Sequence, residues 1–184
     1  MGILKILVLG EAAVGKTTLI NSYSNKKGIE SIAYKYTIGV GFPKSELVQV
    51  RCGTELKSAR IQMWDIAGQS HFSVIRTEFY RGARGVIFMF DLIRPPTLQA
   101  LEDTWIDECY ANAGKMGDYK KIPSLLVGGK SDLIAENLRT YVKKKTVEEF
   151  ARKKGMPYIE TSAKNYMNIK EAVIKLVQLI LGCE

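Results

Sequence analysis

The chain has 184 residues, 46% hydrophobic and 25% charged, enough for one domain over residues 1–184 that needs no cross-link to hold its core. Its net charge of +8 would suit nucleic acid or an anionic surface. The basic residues are scattered, however, and the clusters Lys143–Lys145 and Arg152–Lys154 read as a solvated helix face without the interleaved aromatics of a single-strand-binding groove.

Three cysteines, Cys52, Cys109 and Cys183, without CxxC or Cys/His spacing, argue against a disulfide framework and a zinc site and for a reducing, cytoplasmic setting. No apolar run is long enough to span a bilayer, and the first residues fall inside a strand rather than a secretory signal. Ile6 stands where myristoylation of Gly2 needs Ser or Thr, and Cys183, second from the end, forms no CaaX box. Membrane attachment is left open.

In chain order, Ile3–Leu9 is a nearly continuous apolar run, as in a strand covered on both faces, and a helix begins at Lys16. Phe42–Val50 and Leu56–Trp64, separated by Arg51-Cys52-Gly53-Thr54, predict an antiparallel hairpin. Gly85–Asp91 is the next buried strand, followed by a helix over Thr97–Ala113 with Leu98, Leu101 and Trp105 on one stripe. Pro123–Gly128 is a further strand. Thr146-Val147-Glu148-Glu149 reads as a capping box opening a helix that runs to Lys154 and is closed by Gly155 and Pro157. Met156–Thr161 is the last strand, and Ile169, Ala172, Val173, Leu176 and Ile180 mark the core face of the last helix. The sum is an α/β fold: a six-stranded, mostly parallel sheet with one antiparallel edge strand and about five helices. Ligands of such sheets bind beyond the carboxyl ends of the strands.

The motifs lie at those ends. Gly10-Glu11-Ala12-Ala13-Val14-Gly15-Lys16-Thr17 fits G-x-x-x-x-G-K-[ST] between a strand and a helix, and Gly10 to Thr18 is the candidate nucleotide-binding stretch. Backbone N–H groups of such a loop converge on phosphate oxygens, Lys16 adds a compact cation at the β- and γ-phosphates, and the Thr17 hydroxyl suits Mg²⁺. Trp64-Asp65-Ile66-Ala67-Gly68-Gln69 follows a strand. There Asp65 can hold Mg²⁺ through a water, Gly68 lets its N–H approach a γ-phosphate, and Gln69 can orient an attacking water.

This second motif resembles the D-x-x-G-Q of the Ras superfamily of small GTPases, and with the phosphate loop and three others the resemblance spans Gly10 to Lys164. Gly129-Lys130-Ser131-Asp132 is similar to the base-reading N-K-x-D, and Glu160-Thr161-Ser162-Ala163-Lys164 matches E-T-S-A-K. Tyr36-Thr37-Ile38-Gly39-Val40 matches the effector loop. The resemblance implies a P-loop G domain that binds GTP and GDP with Mg²⁺. Asp132 would read guanine, Lys130 would cover the purine, and Ser162, Ala163 and Lys164 would close the base site. Thr37 would join Thr17 and Asp65 at the metal only when a γ-phosphate is present. Lys16, Thr37 and Gln69 would carry the hydrolysis.

Within the superfamily, Trp64 to Gln69, Phe72 and Tyr80-Arg81-Gly82-Ala83 look most like the Rab branch. Phe42, Trp64 and Phe79 match its aromatic triad, which reads either as a partner surface or as ordinary sheet packing. The branch implies an exchange factor, a GTPase activator and an effector as partners, a monomer, no nucleic acid, and a cytoplasmic location with the cytosolic face of membranes as the alternative. The ending Gly182-Cys183-Glu184 is not a double-cysteine Rab ending.

Three departures stand out. Gly129 replaces an Asn that ties guanine N7 to the phosphate loop, a loss of about 1–3 kcal/mol. Glu30 stands where Rab proteins often place an aromatic, with Ile29 beside it, and Ala12 places a methyl where a partner's arginine finger would approach. No arginine in cis of the heterotrimeric G-protein type is evident, so slow intrinsic hydrolysis is expected, a finger in trans adding on the order of 10³–10⁵. His71, the single histidine, receives no catalytic role, because a loose phosphoryl-transfer transition state needs little base assistance. Two alternatives remain: a non-hydrolysing nucleotide-binding module of the same fold, and a P-loop ATPase or nucleotide kinase.

Overall fold

The computed structural model describes residues 2–28, 40–41, 45–68, 77–113 and 122–183. Its sheet is built from β1 (Ile3–Leu9), β2 (Val40–Gly41), β3 (Ser45–Cys52), β4 (Glu55–Ile66), β5 (Gly85–Asp91), β6 (Ser124–Gly129) and β7 (Tyr158–Glu160). β4, β1, β5, β6 and β7 lie side by side and parallel. β2 and β3 both pair antiparallel with the outer side of β4, so seven segments fill six positions. The expected architecture is present.

All seven residues of β5 are buried, as its uninterrupted apolar run predicts. In β3 and β4 burial alternates, since one face of this edge packs on a helix. The hairpin turn is tighter than its four-residue turn sequence suggested: Cys52 pairs with Glu55, leaving Gly53 and Thr54 as the loop. Gly53 takes a φ of +62°, which a two-residue hairpin asks of its first central residue. β3 starts at Ser45; Phe42 lies outside the described residues.

The helical segments are α1 (Lys16–Asn25), α2 (Pro96–Ala100), α3 (Ile106–Ala113), α4 (Lys144–Lys154) and α5 (Ile169–Leu181). A π-helical turn, Leu101–Trp105, joins α2 to α3, so the single helix expected from Thr97 to Ala113 is interrupted. α4 begins two residues before the predicted capping box. Lys143 is its N-cap and no side chain caps it, because Thr146 already lies inside the first turn. Gly155, at φ +63°, ends it as expected.

On one face of the sheet, α2, α3 and α4 cover Leu7, Leu9, Phe88, Phe90 and Leu126. On the other, α1 and α5 cover Ile6, Val8, Ile61, Ile87 and Leu125. The α5 stripe is buried at Ile169, Ala172, Val173 and Leu176, with Val177 in addition and Ile180 at its margin.

The cysteines require a correction. Cys52 and Cys183, 131 residues apart, are joined by a disulfide with Cα atoms 4.6 Å apart. The end of β3 meets the end of α5, where Gln178 Nε2 also donates to Arg51 O at 3.0 Å. Tertiary proximity pairs cysteines whose spacing signals nothing, so their number is no argument for a reducing compartment. Cys109 is free and buried.

Candidate functional site

Because five strands run parallel, their carboxyl ends share one edge of the sheet, and the loops leaving that edge carry the site. Gly10 follows β1 at φ +143°, and a Cβ there would run into the Met89 carbonyl of β5. Gly15, at φ +110°, opens α1. Between them Val14 is buried, and Ala13 takes a φ of +62°. The loop therefore winds around the Lys16 side chain, which is 6% exposed and donates to Gly10 O and Glu11 O at 2.7 and 2.8 Å.

Thr17 Oγ1 donates to Asp65 Oδ2, which sits near the end of β4 and is buried. Two hard oxygen ligands, one from the first turn of α1 and one from β4, thus converge, a donor set that fits Mg²⁺. Three residues on, the Gly68 backbone lies against the phosphate loop. A Cβ at Gly68 would stand 2.5 Å from Ala12 N and Glu11 C, so only glycine permits this approach. Thr18 is half-buried in the first turn of α1. Thr37 and Gln69, with Phe72, His71, Glu30 and Ile29, lie outside the described residues.

At the ends of β6 and β7 the base-site residues form a second group. Lys130, at φ +64°, sends Nζ to Ala13 O at 2.9 Å, which bridges the two groups. Ser162 Oγ donates to Asp132 Oδ1 at 2.6 Å and fixes the carboxylate from behind. Ser131 N–H donates to Thr161 O, which locks the two loops together. Ala163 O accepts from the buried Ser22 hydroxyl of α1 at 3.2 Å, and Lys164 is exposed. At Gly129, where an Asn was expected, a Cβ would stand 2.5 Å from Met89 Cε and 3.1 Å from Val14 O. The Met89 side chain fills that space.

Sequence reasoning missed three contributors. Asp91 ends β5 with no exposure and accepts Lys130 Nζ at 2.7 Å. A carboxylate closing a run of five apolar residues, Val86 to Phe90, was its available signal. Arg94 pairs with Asp91 at 2.9 Å and also reaches Ala12 O. Trp105, from the π turn, donates its indole N–H to Glu11 Oε1 at 3.0 Å. Spacing gives no hint of the last two.

Away from the nucleotide groups, Trp64 and Phe79 are half-buried with ring centroids 6.0 Å apart, and Lys5 Nζ lies 4.2 Å from the Trp64 centroid. Both rings pack against the core, as one of the two readings of the triad requires.

Comparison with known proteins agrees with this geometry. The Ras family model matches residues 5–182. The Ras-related protein Rab-7a of Dictyostelium discoideum is 38% identical over 92% of this chain and 78% of its own length. The Ypt/Rab-type GTPase avaA of Emericella nidulans is 38% identical over 98% of the chain and 83% of its own length. RABG3a of Arabidopsis thaliana is 36% identical over 99% and 84%. The chain belongs to the Ras family and is Rab-like within it.

Proposed function

We propose that this chain is a Mg²⁺-dependent guanine-nucleotide switch of Rab type that hydrolyses GTP to GDP and offers different loop conformations to partners in its two states. As a Ras-family member it is a GTPase. One observation supports the reading above all others: Lys16 and the Thr17–Asp65 pair at one end and the Asp132–Ser162 pair at the other are bridged by Lys130.

In this reading the phosphate-loop N–H groups and Lys16 hold the triphosphate and stabilise charge that develops on it. Thr17 and Asp65 would hold the metal, which neutralises phosphate charge; Thr37 would join them in the triphosphate state. Gly68 would give its N–H to the terminal phosphate, and Gln69 would orient the attacking water. Asp132, steadied by Ser162, would accept the N1–H and 2-amino hydrogens of guanine, which adenine lacks. Gly129, Lys130, Ala163 and Lys164 would complete the base site. Loops around Thr37 and Gln69, with Phe42, Trp64 and Phe79, would meet an exchange factor, an activator and an effector. The chain would act as a monomer in the cytosol or at the cytosolic face of a membrane, in line with trafficking by Rab-type proteins. Among the described residues no helix is long and apolar enough to cross a bilayer.

The test is the nucleotide released on heat denaturation of purified protein, followed by titration of stripped protein with GTP, GDP and ATP with and without magnesium. Guanine nucleotide and magnesium-dependent affinity are expected; equal affinity for ATP would sink the reading. Gln69→Leu should depress single-turnover hydrolysis sharply, and intact GTP after prolonged incubation of the wild type would favour a non-hydrolysing module.

A further inference from the structure

Four successive carbonyls of the phosphate loop are each held by a cation. Lys16 takes Gly10 O and Glu11 O, Lys130 takes Ala13 O, and Arg94 Nη2 takes Ala12 O at 2.9 Å. Arg94 and Lys130 share one carboxylate oxygen, Oδ2 of Asp91, a residue with no exposure. The guanidinium is therefore anchored by Nε on a buried charge while Nη2 reaches the loop.

The backbone beneath Arg94 is equally fixed. Asp91 Oδ1 accepts the Ile93 N–H, and the buried Thr97 hydroxyl donates to Arg94 O at 2.7 Å and accepts the Asp91 N–H at 2.9 Å. Pro95 and Pro96 follow with set φ. A long surface side chain ordinarily contributes little through an ion pair, because it loses freedom to hold one geometry. Here the corner is rigid before the guanidinium binds.

A cation on a peptide oxygen polarises the whole peptide and makes its N–H a stronger donor. The peptides are trans, so the N–H of Ala13 points away from Ala12 O, to the side opposite Arg94. We propose that Arg94 is a positioning residue for phosphoryl transfer: by gripping Ala12 O it fixes and polarises the Ala12–Ala13 peptide, so that the Ala13 N–H binds developing phosphate charge more strongly than ground-state charge. The proposal rests on the GTPase reading above. Arg94 acts through the peptide and touches no substrate, which separates it from an arginine finger. Lys130 stays on Asp91 when Arg94 is removed, so the buried carboxylate is never left without a cation.

The experiment compares wild type, Arg94→Ala, Arg94→Gln and Arg94→Lys, each as the full chain loaded with Mg²⁺·GTP. Single-turnover hydrolysis and GDP dissociation constants are measured side by side, with melting temperatures. In Arg94→Ala and Arg94→Gln, hydrolysis should fall about tenfold while GDP affinity moves less than about threefold; Arg94→Lys, which keeps a positive charge at Ala12 O, should retain most of the rate. Unchanged hydrolysis in the Ala and Gln variants would overturn the assignment. So would hydrolysis, GDP affinity and melting temperature falling in proportion, since that describes scaffolding alone. An inactive wild type sinks the GTPase reading and this proposal with it, whereas an active wild type with indifferent variants sinks only the role of Arg94.

Discussion

At Gly129 a thioether methyl stands where an amide would be. Met89 reaches across from β5 and fills the space beside Val14 O, so the gap left by the missing Asn side chain is packed. Restoring the amide in Gly129→Asn alone forces the Met89 tip to move, which a flexible side chain can do at some cost in packing. We therefore expect Gly129→Asn to raise GTP affinity only slightly, and Gly129→Asn with Met89→Ala to raise it more than the two single effects added. Coupling of about 0.5–3 kcal/mol is the range for side chains in contact. Fluorescence titration of all four proteins checks this, and strict additivity would mean that Met89 does not guard the site. The placing of Asp132 and Lys16 at the carboxyl ends of their strands was legible because their motifs are contiguous and follow apolar runs. Met89 was not, because a methionine in an apolar strand reads as core until the partner it touches 40 residues on is known. Arg94 and Trp105 were hidden in the same way: their contacts with Ala12 and Glu11 span 82 and 94 residues.

Elements were legible where one signal dominated. The continuous apolar run located β5 correctly, and Gly155 located the end of α4. The start of α4 was misread because Thr146 and Glu149 have capping-box spacing inside a helix that had already begun. Two long-range ties then hold elements together. Glu102, in the π turn, receives Lys153 at 2.8 Å and Lys154 at 2.9 Å from α4, and these ammonium donors lower its carboxyl from 4.5 to about 2. A carboxyl with a lowered folded value stabilises above its unfolded value and loses that contribution as pH falls. The window is thus pH 4.5 down to about 2. Urea midpoints at pH 6 and pH 3 should drop further for wild type than for Glu102→Gln; equal drops would show that the bridge is idle. The second tie is Cys52–Cys183. Closing so long a loop corresponds to about 5 kcal/mol in the chain-entropy picture, an upper figure. Reductant should lower the wild-type melting temperature by several degrees and leave Cys52→Ser unmoved, and a wild-type melt indifferent to reductant would count against any stabilising role.

The site is distributed over the whole sheet, and this sets how the entire molecule should respond to ligand. Its residues leave β1, β4, β5, β6 and β7, and each is held by a contact to a loop from another strand: Thr17 to Asp65, Lys130 to Asp91 and Ala13, Ser162 to Asp132. No single strand can unravel without dismantling the cradle, so nucleotide that binds only the folded chain must act on global unfolding. At a free concentration 100 times the dissociation constant, such a ligand stabilises by about 2.7 kcal/mol. For a chain of this length each kcal/mol moves the melting temperature by roughly 2–4 °C, which gives a rise of roughly 5–10 °C with Mg²⁺·GDP. The same concentration of ATP should give almost none, because adenine lacks the two hydrogens that Asp132 would accept in the proposed reading. Chelating magnesium should return part of the rise if, as proposed, the Thr17 and Asp65 oxygens hold a cation that neutralises phosphate charge. Differential scanning fluorimetry across a GDP series, with ATP and chelator controls, reads all three effects. A shift shared by ATP would locate the stabilisation in the phosphate loop alone and leave Asp132 without a part in it.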